Sequence, residues 1–160
     1  MKPTSLRLLA TLAVVGLALG WAVAVIISGW SGRAVPIPVL AGSALWLLAI
    51  ALFVWGAVIR PRLRAQIDPA SHPGVAPLPV LVAARVAAIA MAAARVGAFV
   101  TGVYAGLAAA TVADGLSTPA SLQSFWASLL AAAGAAATSV AAVRLERSCL
   151  LPSGVDKDDQ

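Results

Sequence analysis

Three stretches of this chain run for 21 or 22 residues without a charge: Leu8 to Ser28, Val39 to Ile59 and Leu122 to Val143. A fourth, Leu81 to Ala113, is interrupted only by Arg85 and Arg95. About 20 apolar residues in a helix cross roughly 30 Å of hydrocarbon. The first stretch holds five Leu, four Val and two Ile, which favour insertion by about 5 kcal/mol on membrane-insertion scales. Composition says the same: 61% of residues are hydrophobic and 11% charged, against about 25% charged in a soluble domain. A soluble fold of this size has no place to hide that much apolar surface, because small domains bury only part of their area. The expected fold is an all-α integral membrane four-helix bundle, a single domain over residues 1–151 followed by a disordered polar tail, 152–160.

Orientation follows from the basic residues. With the N-terminus in the cytoplasm, that side carries Lys2, Arg7, Arg60, Arg62, Arg64, Arg85, Arg95, Arg144, Arg147 and Lys157, and the outer side only Arg33. Ten against one is the bias of cytoplasmic loops, so both termini are expected inside the cell (inner) membrane. Trp30 and Trp126 then fall near the outer interface and Trp55 near the inner one. Lys2 and Arg7 ahead of an apolar run also suit a cleaved signal peptide, but the run through Ile27 exceeds the 7 to 15 residues of a signal core. An uncleaved anchor is the reading kept. The basic balance, +5 overall, flanks apolar runs and forms no patch with aromatics, so nucleic acid is not an expected partner.

Between the second and third spans, residues 60–80 read as a cytoplasmic loop, with Arg60, Arg62 and Arg64 closing the second helix. From Ala65 to Pro79 four prolines and Gly74 argue against regular structure. Asp114, Gly115, Ser117 and Pro119 separate the third and fourth spans.

Small residues set the expected packing. Gly16 and Gly20 form one small-residue pair four apart, Gly102 and Gly106 another, and alanines surround Gly134. Such positions let helix backbones approach closely in lipid. Each pair fits either a homodimer face or a contact inside one bundle, and the internal contact is favoured because four helices offer many. The second span carries the bulk: Trp46, Phe53 and Trp55.

The third span is 33 residues, about 50 Å as a helix. Arginine at mid-bilayer costs about 2.5 to 3.5 kcal/mol. Val96, Phe99, Val100, Val103, Leu107 and Val112 supply only roughly 3 kcal/mol against it. Either Arg95 snorkels to the inner interface, with Leu81 to Ala94 projecting inward or lying along the surface, or it sits within the bundle as a functional charge. At 100° per residue, Arg95 lies within about 20° of both Gly102 and Gly106, so it is expected to point into the protein; Tyr104 lies opposite. Glu146 is the acid nearest an inner helix end and the expected partner. Arg85, Arg95, Glu146 and Arg147 are the candidate functional polar residues.

Familiar catalytic chemistry is not legible. His72 sits in the proline-rich loop, and one histidine with Cys149 makes no metal site of usual spacing. No catalytic serine, zinc-protease or phosphate-loop motif occurs. The spans hold no Asp or Glu of the kind ion-coupled carriers commonly use. No cofactor or metal is expected, and a membrane enzyme, the third reading, has only Glu146, Tyr104 and Cys149 to offer. A non-catalytic accessory or scaffold bundle, with a membrane protein partner or a second copy, is the leading reading. A small transporter or channel for an anionic solute, gathered by Arg85 and Arg95, is the alternative.

Several stretches carry a family pattern: Met1-Lys2-Pro3-Thr4; Ala83-Ala84-Arg85, then Gly97-Ala98, Gly102, Tyr104 and Gly106; and Leu145-Glu146-Arg147, Cys149 and Pro152. In this order they resemble the actinobacterial membrane family catalogued as domain of unknown function three-one-eight-zero. The resemblance implies a four-helix inner-membrane protein, often encoded near folate-synthesis genes, and no established activity. Two positions depart from it: Met91 stands where the family typically has lysine, and Leu150 where it tends to have a basic residue. Arg95, four residues after Met91 and on nearly the same helix face, is a candidate replacement.

Overall fold

The computed structural model describes residues 5–31, 39–67 and 80–149. These form four helices: α1 (Leu6–Ser31), α2 (Val39–Ile67), α3 (Val80–Ala113) and α4 (Pro119–Cys149). Among the described residues there is no strand. α1, α3 and α4 each contain a stretch long and apolar enough to cross a membrane, whereas the apolar part of α2, Gly42–Val58, is shorter.

The helix ends follow local chemistry. The Ser5 hydroxyl accepts from the Leu8 N–H at 3.4 Å and starts α1. α3 stops at Gly115, whose φ of +92° suits a residue without a Cβ just past a helix end. Thr118 then caps α4: its hydroxyl accepts from the Ser121 N–H at 3.2 Å, and the Ser121 hydroxyl accepts from the Thr118 N–H at 3.3 Å. This is a reciprocal cap with serine in the place usually held by glutamate. Pro119 occupies the first helical position, where a missing N–H costs nothing.

Three expected boundaries are corrected. α2 does not end at Ile59; its backbone stays helical through Arg60, Pro61 and on to Ile67. One proline removes a single backbone hydrogen bond, and the helix on either side of Pro61 continues. Residues 60–67 therefore belong to α2, while 68–79 of the expected loop, His72 included, lie outside the described residues, as does the tail 152–160. α4 begins at Pro119 rather than Leu122 and extends through Arg144 to Cys149. α3 is one continuous helix from Val80 to Ala113, as expected within a residue; of the two courses open to Leu81 to Ala94, it continues the helix and does not turn aside along a surface.

The helices stand in a row, α1–α3–α4–α2. Among the described residues α1 packs only on α3, α2 only on α4, and α3 and α4 pack on each other. The four-helix assembly is thus open: its first two helices are its two outer ones and do not touch. The central hairpin is the driest part, with Ala90, Ala94, Ala131, Ala135 and Ala142 all fully enclosed. Gly97 sits against Ser139 N at 3.0 Å and Ala135 O at 3.1 Å from where a Cβ would stand. The Ser139 hydroxyl donates to the Ala94 carbonyl at 3.0 Å.

The two flanking seams are each parallel. On one, Gly16 and Gly20 of α1 meet Phe99 and Val103 of α3, while Gly102 and Gly106 of α3 meet Ala13, Leu17 and Trp21 of α1. A Cβ on any of the four glycines would collide with the other helix's backbone. The direction a Cβ would take is that of a glycine hydrogen, so each glycine aims a Cα–H at a carbonyl: those of Phe99, Val103, Ala13 and Leu17. Such weak hydrogen bonds recur where helices meet closely. Past this crossing, Ala24, Leu107 and Ala110 form a small buried cluster on which Val103 and Tyr104 pack.

On the other seam a side chain makes the contact. Trp46 lies over Gly134, and its indole N–H donates to the Leu130 carbonyl at 3.1 Å. The Thr138 hydroxyl reaches the Leu45 carbonyl at 3.3 Å. Farther along, Gly56 faces Leu145.

Candidate functional site

Helix register collects the described basic side chains at one end of the row. The Ala94–Ser139 hydrogen bond fixes α3 against α4, and the glycine crossing fixes α1 against α3. Arg144 then lies level with about Ala90, and Arg7 with about Ala93, at 1.5 Å per helical residue. Arg7, Arg85, Arg95 and Arg144 are all exposed. Trp30 and Trp126, both exposed, lie toward the opposite end with Asp114.

Arg95 does not point into the protein. It lies on the α3 face that carries Gly102 and Gly106, as its spacing requires, yet its side chain is exposed. Leu6 is level with about Ala92 of α3, so Arg95 stands beside the first turns of α1, below the crossing that closes the seam. The face that is covered at Gly102 is open two turns earlier, at Arg95. Geometry on a helical wheel gives the face; it does not say how far a neighbour covers it.

The expected pairing of Arg95 with Glu146 is also not present. Glu146 is buried, only 4% exposed, near the basic end of α4. Ser139 is level with Ala94, so Glu146 lies seven residues, about 10 Å, farther toward that end. No hydrogen bond or ion pair joins Arg85 or Arg95 to another described residue, whereas Glu146 and Arg144 both have polar partners. Arg85 and Arg95 are ten residues apart, about 15 Å along α3 and roughly 80° around it, so they do not converge on one point. Arg147 belongs to α4; its side chain lies outside the described set.

Sequence reasoning missed two features. One is the burial of Glu146 away from Arg95: it was expected as the partner of Arg95, and counting along the chain does not show which groups the neighbouring helix encloses it with. The other is the recess between α2 and α4 lined by Leu52, Phe53, Gly56, Ala141, Arg144 and Leu145. The signal for it was present in Gly56, the small residue opposite Leu145. Among the described residues no group of three or more His, Cys, Asp or Glu stands close enough to hold a metal ion.

The fold and its basic end define a class: an open row of four apolar helices with long exposed aliphatic faces and its described positive charge at one end. The family model described as protein of unknown function DUF3180 matches residues 9–153, and the chain belongs to that family. No curated protein and no solved structure matches the chain.

Proposed function

We propose that this chain is a multi-pass protein of the cell (inner) membrane, with both ends in the cytoplasm, acting as a non-catalytic accessory or scaffold for a membrane protein partner or a second copy. The observation that carries this reading is the open row. α1 touches the rest of the described protein along one narrow seam, and Val14, Val15, Leu19, Val23 and Ile26 on its remaining surface are exposed. On α2 the same holds for Leu47, Ile50, Phe53, Val54 and Val58. Exposed apolar area of this extent is stable in lipid or against another apolar surface, and unstable in water. Four parallel and antiparallel spans in a row offer two broad faces to the bilayer plane, which suits docking beside another helix bundle.

The alternative, conduction or transport of an anionic solute, draws on Arg85 and Arg95. Their separation along and around α3, and their exposure on its outside, favour the scaffold reading over it. Crosslinking in native membranes followed by affinity capture of the tagged full chain tests the proposal. A stoichiometric second band, heterologous or a dimer, is expected. A chain that runs alone at native expression, with Arg95-dependent solute uptake in proteoliposomes, would replace this reading with the alternative.

A further inference from the structure

Arg95 is an exposed cation without a described partner, set on the α1 side of α3 beside the first turns of α1. Its depth can be placed. Ala113, the last residue of α3, is 18 residues beyond it, about 27 Å along the axis. That is close to the 30 Å thickness of a hydrocarbon core. With Ala113 at one boundary, the Arg95 backbone lies near the other, and the long side chain reaches the level of lipid phosphates. Arg85, about 15 Å farther along α3, lies beyond that level.

The surroundings are selective in sign. The described residues contain two acids: Asp114, at the opposite end, and Glu146, buried and about 12 Å away along the axis. Arg7 stands within one turn of Arg95 in height, on the side of α1 away from the seam. At this level the described charges of α1 and α3 are positive, Arg7 and Arg95, and no described acid stands level with them. Guanidinium presents paired N–H donors suited to phosphate oxygens.

We propose that Arg95 holds the phosphate of an anionic phospholipid of the cytoplasmic leaflet, beside the first turns of α1. This rests on the membrane reading above, including its orientation, and adds a specific lipid site to it. A basic pocket between helices on the cytoplasmic side is a recurrent setting for anionic headgroups. Proximity of one basic residue to an anionic surface is worth roughly 1 kcal/mol, or about a fivefold preference.

Native mass spectrometry of the detergent-purified full chain tests it, with phosphatidylglycerol, phosphatidylcholine and inorganic phosphate each added separately. Wild type should retain phosphatidylglycerol about fivefold over phosphatidylcholine, and Arg95→Gln should bring the two level. Arg95→Lys should keep part of the preference, and Arg85→Gln nearly all of it. A full preference in Arg95→Gln, or an equal loss in Arg85→Gln, would overturn the site. Inorganic phosphate competing at lipid-like concentration would overturn the lipid as its occupant. Each variant is compared by thermal melting in the same detergent, and Arg95→Lys decides if Arg95→Gln does not fold. Fractionation separates the two levels of inference: a chain that leaves the membrane on carbonate extraction defeats the membrane reading itself, while a membrane-resident chain with no lipid preference defeats only this site.

Discussion

The two flanking seams do the same job by different physics. α1 joins α3, and α2 joins α4, each as a parallel neighbour of the central hairpin. In the first seam the glycines of both helices interlock and backbone meets backbone. In the second, one indole spans the gap over Gly134 and donates a hydrogen bond across it. A backbone-to-backbone seam cannot yield, since neither side has a rotatable atom to move. A seam built on Trp46 can adjust by turning a side chain. The first should therefore be brittle to any added atom and the second tolerant of one.

The largest expected effect comes from Gly20→Ala. Its new methyl would meet the Val103 backbone, and the helices must separate to admit it. Overpacking of this kind costs about 3 kcal/mol, offset by less than about 1 kcal/mol of helix propensity. Unfolding in mixed micelles should show a clear loss; an unchanged midpoint would mean the close crossing is not formed.

Trp46→Phe keeps an aromatic ring on Gly134 and removes the bond to Leu130. Interhelical hydrogen bonds in membranes are worth about 0.6 kcal/mol, and up to about 1.7. A loss of about 1 kcal/mol in the same assay is expected. A loss as large as that from Gly20→Ala would erase the distinction between the seams.

Gly134→Ala should do least. The nearest atoms to its methyl belong to side chains, Trp46 Cδ1 at 3.1 Å and Leu45 Cβ at 3.3 Å. A small shift of the indole admits it, and the gain in helix propensity of up to about 1 kcal/mol offsets the crowding. Stability is expected within about 0.5 kcal/mol of wild type. Fluorescence of the tryptophans, of which Trp46 is one, should shift even where stability does not.

Much of this architecture was legible in the residues. The uncharged runs gave four helices and the right order, because apolar length is a local property. The end of α3 at Ala113 was legible because Gly115 is needed there. The end of α2 was not: Pro61 and three arginines look like a stop, yet nothing in them forbids about two more turns. Glycine spacing showed which face of α3 meets a neighbour, but not which neighbour, since Gly16 and Gly102 pair across 86 residues of chain. The same limit explains Arg95. Its angle around α3 follows from counting; its exposure depends on how far the neighbouring helix covers it, which is a tertiary fact. Trp46 was visible as bulk, and its fit over Gly134 was not, because no periodicity links the two.

The open row is the claim from which the exposed faces and the scaffold reading both follow. Disulfide crosslinking in native membranes tests it most directly, in a chain with Cys149→Ser. A cysteine pair at Ala24 and Ala110, within one buried cluster of the α1–α3 seam, should crosslink within the chain rapidly. A pair at Val15 and Ala44, exposed positions at matching height on α1 and α2, should not. Efficient intramolecular crosslinking of Val15→Cys with Ala44→Cys would mean that α1 and α2 close the bundle, and would contradict the account.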